Sequence, residues 1–241
     1  MITVDLTCLT LPRPCRILDI GCGSGRHLAA AYELDQALII GADPQPADLK
    51  QARSRLQFHR DVGAQGNGSR CHLSAASLLQ LPFSDQGFDL VICSEVLEHL
   101  EHLPHLSKAI RELARVLAPR GQLIVSVPRR WPEALCWMIS RKYRTMPGGH
   151  RRIFKAAQLK AKIQAHGLHH WKTHWAHSLH TPYWWLKCLV GVDRDNLAAV
   201  KLYHRFLVWD MMTHPRATRL IEKWLNPVIG KSVALYFKNN K

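Results

Sequence analysis

At 241 residues, 47% hydrophobic and 21% charged, the chain is long enough for one α/β domain with an insertion, and its composition argues against wholesale disorder. Its formal net charge of +15 is unevenly placed: residues 1–120 carry 12 Lys/Arg against 13 Asp/Glu, while residues 121–241 carry 21 against 5. All eight tryptophans also fall in the second half, so that half is expected to meet something anionic, apolar or both.

Short aliphatic runs alternate with helical patterns, which predicts an α/β fold, a doubly wound, mostly parallel sheet of seven strands. Residues 16–20 read as the first strand, opening into a glycine loop and a helix over 26–32. A buried strand follows at 37–42, after which Leu49, Ala52, Leu56 and His59 recur at helical spacing. Residues 63–69 read as a flexible loop before a weak third strand at 70–74. The fourth strand, 88–94, is strong, because Leu90-Val91-Ile92-Cys93 is a continuous apolar run suited to a strand covered on both faces. Leu106, Ile110, Leu113, Ala114 and Leu117 mark a helix that Pro119 ends and Gly121 turns into a fifth strand at 122–127.

Residues 154–166 are expected to form a helix closed by Gly167 in the left-handed region. Strands are predicted at 170–176 and 232–237, with an aromatic-rich insertion over 178–230 that holds two helical patterns. One of them, 195–212, is apolar round most of its circumference, with Lys201, His204 and Arg205 as a narrow polar stripe. Such a helix is buried, or it lies against a ligand, partner or membrane. On a strand His170 and His174 face one way and His177 the other, so no three ligands converge and no metal site is predicted in this histidine-rich run.

The motif Ile17-Leu18-Asp19-Ile20-Gly21-Cys22-Gly23-Ser24-Gly25 carries the chemistry of the first half. Glycines after a strand let the backbone turn sharply and approach a ligand. A dinucleotide fingerprint needs its third glycine one place later, where Arg26 stands, and no Gly-Lys-Ser/Thr of a triphosphate loop follows. The compact Gly-x-Gly-x-Gly suits a nucleoside with a short amino-acid tail. Asp43, closing the second strand about twenty residues on, is placed to accept hydrogen bonds from ribose hydroxyls.

With Leu38-Ile39-Ile40-Gly41-Ala42-Asp43, Ser77-Leu78-Leu79-Gln80-Leu81-Pro82-Phe83 before the fourth strand, and Ser94-Glu95-Val96-Leu97-Glu98-His99-Leu100 after it, the chain resembles the class I S-adenosylmethionine-dependent methyltransferases of the small-molecule type. The resemblance covers nearly half the chain, and it implies a Rossmann-like methyltransferase fold with S-adenosyl-L-methionine as cofactor. It implies that Gly21, Cys22, Gly23 and Gly25 wrap the methionine moiety while Asp19 supports its amino group. Asp43 is then expected on the ribose, Pro44 against the adenine, and Cys93 and Ser94 beside the sulfonium. The family usually has Asp-Ala where Ser77 and Leu78 stand, so the adenine contact here is uncharged.

The resemblance also suggests a catalytic base or orienting donor in His150, with Glu95 and His99 as further catalytic candidates and Arg152 as an anion contact. Trp131, Tyr183 and Trp184 are the aromatic candidates for the substrate side. The run from residue 129 to 155 holds eight Lys/Arg against the single acid Glu133, which favours an anionic acceptor. The expected organisation is one methyltransferase domain over 1–241, with a cofactor-binding core at 12–128 and substrate-side segments at 129–155 and 178–230.

The activity expected is methyl transfer to a small molecule that is apolar, lipid-linked or anionic. Two alternatives stay open: an RNA methyltransferase, motivated by the basic second half, and a non-catalytic cofactor binder docking on a membrane or partner. Against RNA, Ser94-Glu95-Val96-Leu97 lacks the Asn/Asp-Pro-Pro-aromatic run that stacks a flipped base. No eighteen-residue stretch escapes Asp, Glu, Lys and Arg, and the opening residues lack the features of a secretory signal. Seven scattered cysteines without Cys-x-x-Cys suit reduced thiols, so a cytoplasmic protein is expected.

Overall fold

The computed structural model describes residues 2–62, 68–100, 102–146 and 148–240, so most of the loop predicted at 63–69 lies outside the described residues. The strands are β1 (Cys15–Ile20), β2 (Ala37–Asp43), β3 (Arg70–Ala75), β4 (Phe88–Ser94), β5 (Leu117–Pro128), β6 (Leu168–Ala176) and β7 (Ser232–Asn239). They form one sheet in the order β3-β2-β1-β4-β5-β7-β6, in which β7 alone runs antiparallel to its neighbours. That reversal matters for function. The C-terminal ends of the parallel strands and the start of β7 share one edge, where open α/β sheets bind ligands.

Helices cover both faces, because β1 and β4 are apolar on both sides: Ile17, Leu18, Leu90, Val91 and Ile92 have no exposed surface. Each such side chain contributes about 1.5–3 kcal/mol by burial. On one face Leu18, Val91 and Leu123 pack against α3 (Leu103–Val116) and α6 (Ala156–Gln164) through Leu106, Ile110, Leu113, Leu159 and Ile163. On the other, Ile17, Ile39 and Ile92 meet α1 (Arg26–Tyr32), α2 (Pro46–Val62) and the N-terminal Val4, Leu6 and Leu9. A smaller core of Cys136, Tyr143, Cys188 and Val192, with Trp184 and Trp185 against it, joins α4 (Arg130–Ile139) and α5 (Arg141–Arg144) to α7 (His180–Val190).

Several sequence expectations are corrected. The helix α3 ends at Val116 rather than at Pro119, and Leu117 already pairs with Phe88 as the first residue of β5. Residues 118–121 form an irregularity within that strand, with Arg120 at a φ of 61°. The helix predicted from 154 starts at Ala156, leaving Phe154 as a buried anchor before it, while Gly167 takes its left-handed φ of 84°. After β5 the chain turns at once into α4 and α5, which the periodicity did not reveal. The insertion holds three helices: α7, α8 (Ala198–Thr213) and α9 (Arg216–Ile229).

The run predicted at 195–212 is neither buried nor sheathed in this structure: only Val200, Leu207 and Asp210 of α8 are buried, and Leu202, Trp209 and Met212 face solvent. The histidines of β6 are also redistributed. A bulge between His170 and Lys172 turns His170 onto Phe237 and His174 onto Tyr236, which are successive residues on opposite faces of β7. His174 and His177 then both reach Thr3, at 3.0 and 3.1 Å.

Candidate active site

The glycine loop sits where β1 ends. Gly21, Gly23 and Gly25 all have positive φ (69°, 51° and 80°), which side-chain-bearing residues rarely adopt. A Cβ on Gly21 would lie 2.3 Å from Val96 Cγ2, so the loop after β4 leans directly on the loop after β1. At Gly23 a Cβ would meet nothing within 4 Å, leaving that stretch of backbone open to a ligand.

Two carboxylates flank the loop. Asp43, buried at the tip of β2, accepts from the Gly23 N–H at 3.0 Å and the Gln45 N–H at 2.8 Å. Those bonds set the glycine loop's distance from β2 and leave about two of the four lone-pair positions of the carboxylate for another donor. Asp19 is 1% exposed, and among the described residues its Oδ2 has no hydrogen-bond partner. Burial is the main cause that pushes Asp19 up to about 7, with Asp43 adding to it and Arg26 opposing. An unpaired buried carboxylate costs stability unless a cation or donor arrives. An α-ammonium group on the bound ligand answers that need, so the residues present fit S-adenosylmethionine.

The remaining positions expected on the cofactor follow the same edge. Cys22 and Cys93 are buried, and burial raises both thiols. Ser94 Oγ lies 2.8 Å from Ser126 Oγ across β4 and β5. Pro44 is exposed beyond β2. Leu78 is buried under the sheet edge, while exposed Ser77 spends its Oγ on the Leu79 N–H at 3.2 Å.

Opposite the glycine loop lies a polar group that the residues after β4 begin. Glu95 has a φ of 57°, a conformation that turns the chain sharply out of the strand, and its Oε1 accepts from Ser126 Oγ at 3.0 Å. Residues Leu97–His99 form a 3-10 turn instead of the start of a long helix. Within it Glu98 has no exposed surface, and among the described residues neither carboxylate oxygen has a partner. Burial holds Glu98 well above the usual carboxylate range, and the neighbouring Glu95 adds to the effect. Glu95 is raised too, by burial, against the pull of Lys231 and its bond to Ser126.

His150 joins this group from the segment between α5 and α6. Its Nδ1 lies 2.6 Å from Glu133 Oε1, and its ring is 5.5 Å from that of His99. Burial would raise Glu133, yet the bond to His150 and that residue's charge leave it lowered. The Tyr143 hydroxyl donates to the other Glu133 oxygen at 3.2 Å. The Arg151 N–H donates to the Glu98 carbonyl at 3.0 Å, tying the His150 segment to the loop after β4. His99 Nδ1 faces the Gly149 carbonyl at 3.3 Å, and burial followed by the charge of His150 lowers its basicity.

The other substrate-side candidates separate. Trp184 packs on Tyr143 at 5.6 Å, with Lys231 Nζ 5.0 Å from its ring, so it backs the acidic group. Trp131 donates to the Val228 carbonyl and packs on Trp185 at 5.5 Å, bracing α4 against the insertion. Tyr183 turns toward Tyr203 and His204 of α8, away from that group. Arg152 lies 5.9 Å from the Phe154 ring. Sequence reasoning did not single out Glu133 or Lys231. The signal for Glu133 was its place as the lone acid among eight basic residues.

A seven-stranded sheet with a reversed β7 and a glycine loop closing β1 defines the Rossmann-like methyltransferase fold. Residues 18–125 match the family described as a methyltransferase domain. Residues 18–125 are thus similar to a methyltransferase domain, within a chain that has the Rossmann-like fold of the class I S-adenosylmethionine-dependent methyltransferases. It is 36% identical over 111 residues to the probable tRNA methyltransferase 9B of Bos taurus, an alignment covering 46% of this chain and 21% of that protein. It is also 36% identical over 112 residues to a ubiquinone/menaquinone biosynthesis C-methyltransferase of Vibrio campbellii, covering 46% and 40%. The aligned segment thus spans less than half of either relative. A putative methyltransferase from Bacillus halodurans superposes with a TM-score of 0.63 at 19% identity, covering 98% of this chain and 97% of that one.

Proposed function

We propose that the protein transfers a methyl group from S-adenosylmethionine to a small acceptor with an anionic or lipid-linked part. When bound, the cofactor supplies a sulfonium-activated methyl carbon. Asp19, Gly21, Cys22, Gly23 and Gly25 would hold its amino-acid end, Asp43 and Pro44 its nucleoside, and Ser77 and Leu78 the adenine side. Cys93 and Ser94 would close the crevice near the reacting carbon, and positioning with exclusion of water supplies most of the rate.

One observation carries this reading: the unpaired Asp19 carboxylate and the Glu95–Glu98–His99–His150 group face a common edge, held in register by Val96 against Gly21. Residues 12–128 would form the cofactor-binding core of a single domain. Residues 129–155 and 178–230 would build the acceptor side, with His150, oriented by Glu133, placed beside the acceptor's nucleophile. The basic segment, including Arg152, supports an anionic acceptor, and the exposed apolar side chains of α8 support peripheral contact with a membrane. Among the described residues no helix is long and apolar enough to cross a membrane, and the seven free thiols are in keeping with a cytoplasmic setting.

Calorimetry with S-adenosylhomocysteine tests the cofactor half. Asp43→Ala is expected to weaken binding about tenfold or more, the scale of a lost charged hydrogen bond, and unchanged affinity would remove Asp43 from the site. Methyl-labelled cofactor incubated with cell extract identifies the acceptor. The tRNA-directed relative and the basic second half favour RNA as the second reading. Label in RNA rather than in small molecules would make it the first.

A further inference from the structure

We propose that Glu98, His99 and His150 bind a divalent transition-metal cation, and that this cation holds the acceptor's hydroxyl oxygen for methylation. The inference rests on the methyltransferase reading and deepens it, because it names oxygen as the atom methylated.

The donors converge from two segments of the chain. One ligand atom from each of Glu98, His99 and His150 lies within 4.8 Å of the others, close enough for one cation after side-chain movements of about an ångström or less. Glu98 is the independent sign of a ligand: it has no exposed surface, and among the described residues both of its oxygens lack a hydrogen-bond partner. Such a group is costly to keep in a protein interior unless something binds it.

The histidines are prepared in the way metal ligands are. The Nδ1 of His150 is engaged by Glu133, so Nε2 remains as its free nitrogen, and the buried carboxylate both orients the ring and strengthens it as a donor. Tyr143 in turn fixes Glu133. His99 likewise has Nδ1 toward the Gly149 carbonyl, which leaves its Nε2. The Arg151-to-Glu98 backbone bond holds the two segments together without using a donor side chain.

A second group, His177, His180 and Glu222, has similar spacing but a different state. Its carboxylate, Glu222, is already paired with Arg219 at 2.8 Å, so it lacks the unpartnered buried acid that Glu98 supplies to the first group. Two imidazoles with one carboxylate suit Mn²⁺, Fe²⁺ or Zn²⁺ better than the harder Mg²⁺, and three protein ligands leave positions for an incoming oxygen.

The step balances simply. The cation lowers the pKa of the bound hydroxyl, whose proton leaves to solvent. The oxygen then forms a bond to the methyl carbon as the carbon–sulfur bond breaks, and that electron pair stays on sulfur.

The test titrates the intact, chelator-treated protein with Mn²⁺, read by electron paramagnetic resonance and calorimetry, with and without S-adenosylhomocysteine. One saturable Mn²⁺ site is expected, with Glu98→Gln and His150→Ala each weakening it at least about tenfold, while His180→Ala leaves it unchanged. Circular dichroism confirms that the variants fold, and imidazole hyperfine coupling in the bound Mn²⁺ spectrum supplies evidence independent of the variants. Absence of a saturable site overturns the proposal, as does a site that survives Glu98→Gln or is lost in His180→Ala. If S-adenosylhomocysteine binds while Mn²⁺ does not, the metal proposal fails and the methyltransferase reading stands. If Mn²⁺ binds at this site while S-adenosylhomocysteine does not, the methyltransferase reading fails and the cation site stands.

Discussion

At the scale of single residues, the fold spends stability on two buried carboxylates, Asp19 and Glu98, whose buried oxygens find no partner among the described residues. Asp19 illustrates the cost. Burial raises it to about 7. Between about pH 4 and pH 7 the folded chain therefore keeps a proton that the unfolded chain has released. Stability falls through that window as pH rises, by about 1.4 kcal/mol per unit. Asp19→Asn removes this dependence, so the cofactor-free variant should melt above the parent at pH 8 and close to it at pH 4. The same variant should bind S-adenosylhomocysteine about tenfold more weakly or worse. Thermal melts at the two pH values with calorimetry at pH 8 check both halves, and a variant that binds as well as the parent would sever Asp19 from the ligand. Glu98 stands in the same position on the other side of the crevice, with both oxygens unpartnered.

At the scale of elements, the N-terminal segment is held in part by a histidine that must stay neutral. The Thr3 N–H donates to His27 Nε2 at 3.2 Å, and burial, aided by the charge of Arg26, lowers His27 to about 4. The unfolded chain takes up this proton near pH 6.5 and the folded chain only near pH 4, so the contribution is complete above about 6.5 and drains away as pH falls. His27→Gln keeps an acceptor for Thr3 but does not titrate. Its unfolding free energy should fall less steeply between pH 6 and 4.5, by about 1.4 kcal/mol per unit, in urea melts read at several pH values. Parallel slopes for parent and variant would remove His27 from the acid response.

Elements also show what the sequence made legible. The helix α1 and the strand β4 lie where the pattern put them, because a glycine loop and a continuous apolar run are local signals. The helix α4 escaped because Pro132 reads as a breaker, yet it stands in the first turn, where the missing N–H costs nothing. The bulge at His170 escaped because nothing within β6 announces it; it depends on pairing with β7, sixty residues further on. The glycine loop and Asp43 were readable in the same way as β4. Glu133 was not, since its meaning comes from His150, which folding brings to it.

For the whole molecule, the question is how a 53-residue insertion at 178–230 bears on a site built from other segments. The reversal of β7 brings both ends of the insertion, after β6 and before β7, to the edge that carries the glycine loop. Its first helix then docks α4 and α5 through Trp184 on Tyr143, and Tyr143 donates to Glu133 behind His150. Lys231, at the insertion's exit, lies over the same tryptophan, and its charge acts on Glu95, Glu98 and Glu133. Trp184→Ala should therefore do two things. It should cost about 2–4 kcal/mol in urea unfolding, below the range of about 3–5 kcal/mol for a fully buried large aromatic side chain because Trp184 is half-buried. It should also loosen Tyr143 and Glu133, so that the His150 ring resonance, followed by NMR, shifts in the folded variant. Tyr143→Phe, which keeps the ring but removes the hydroxyl, should move the His150 resonance in the same sense with little loss of stability. A His150 signal unmoved in both variants would show that the insertion braces the fold without positioning His150.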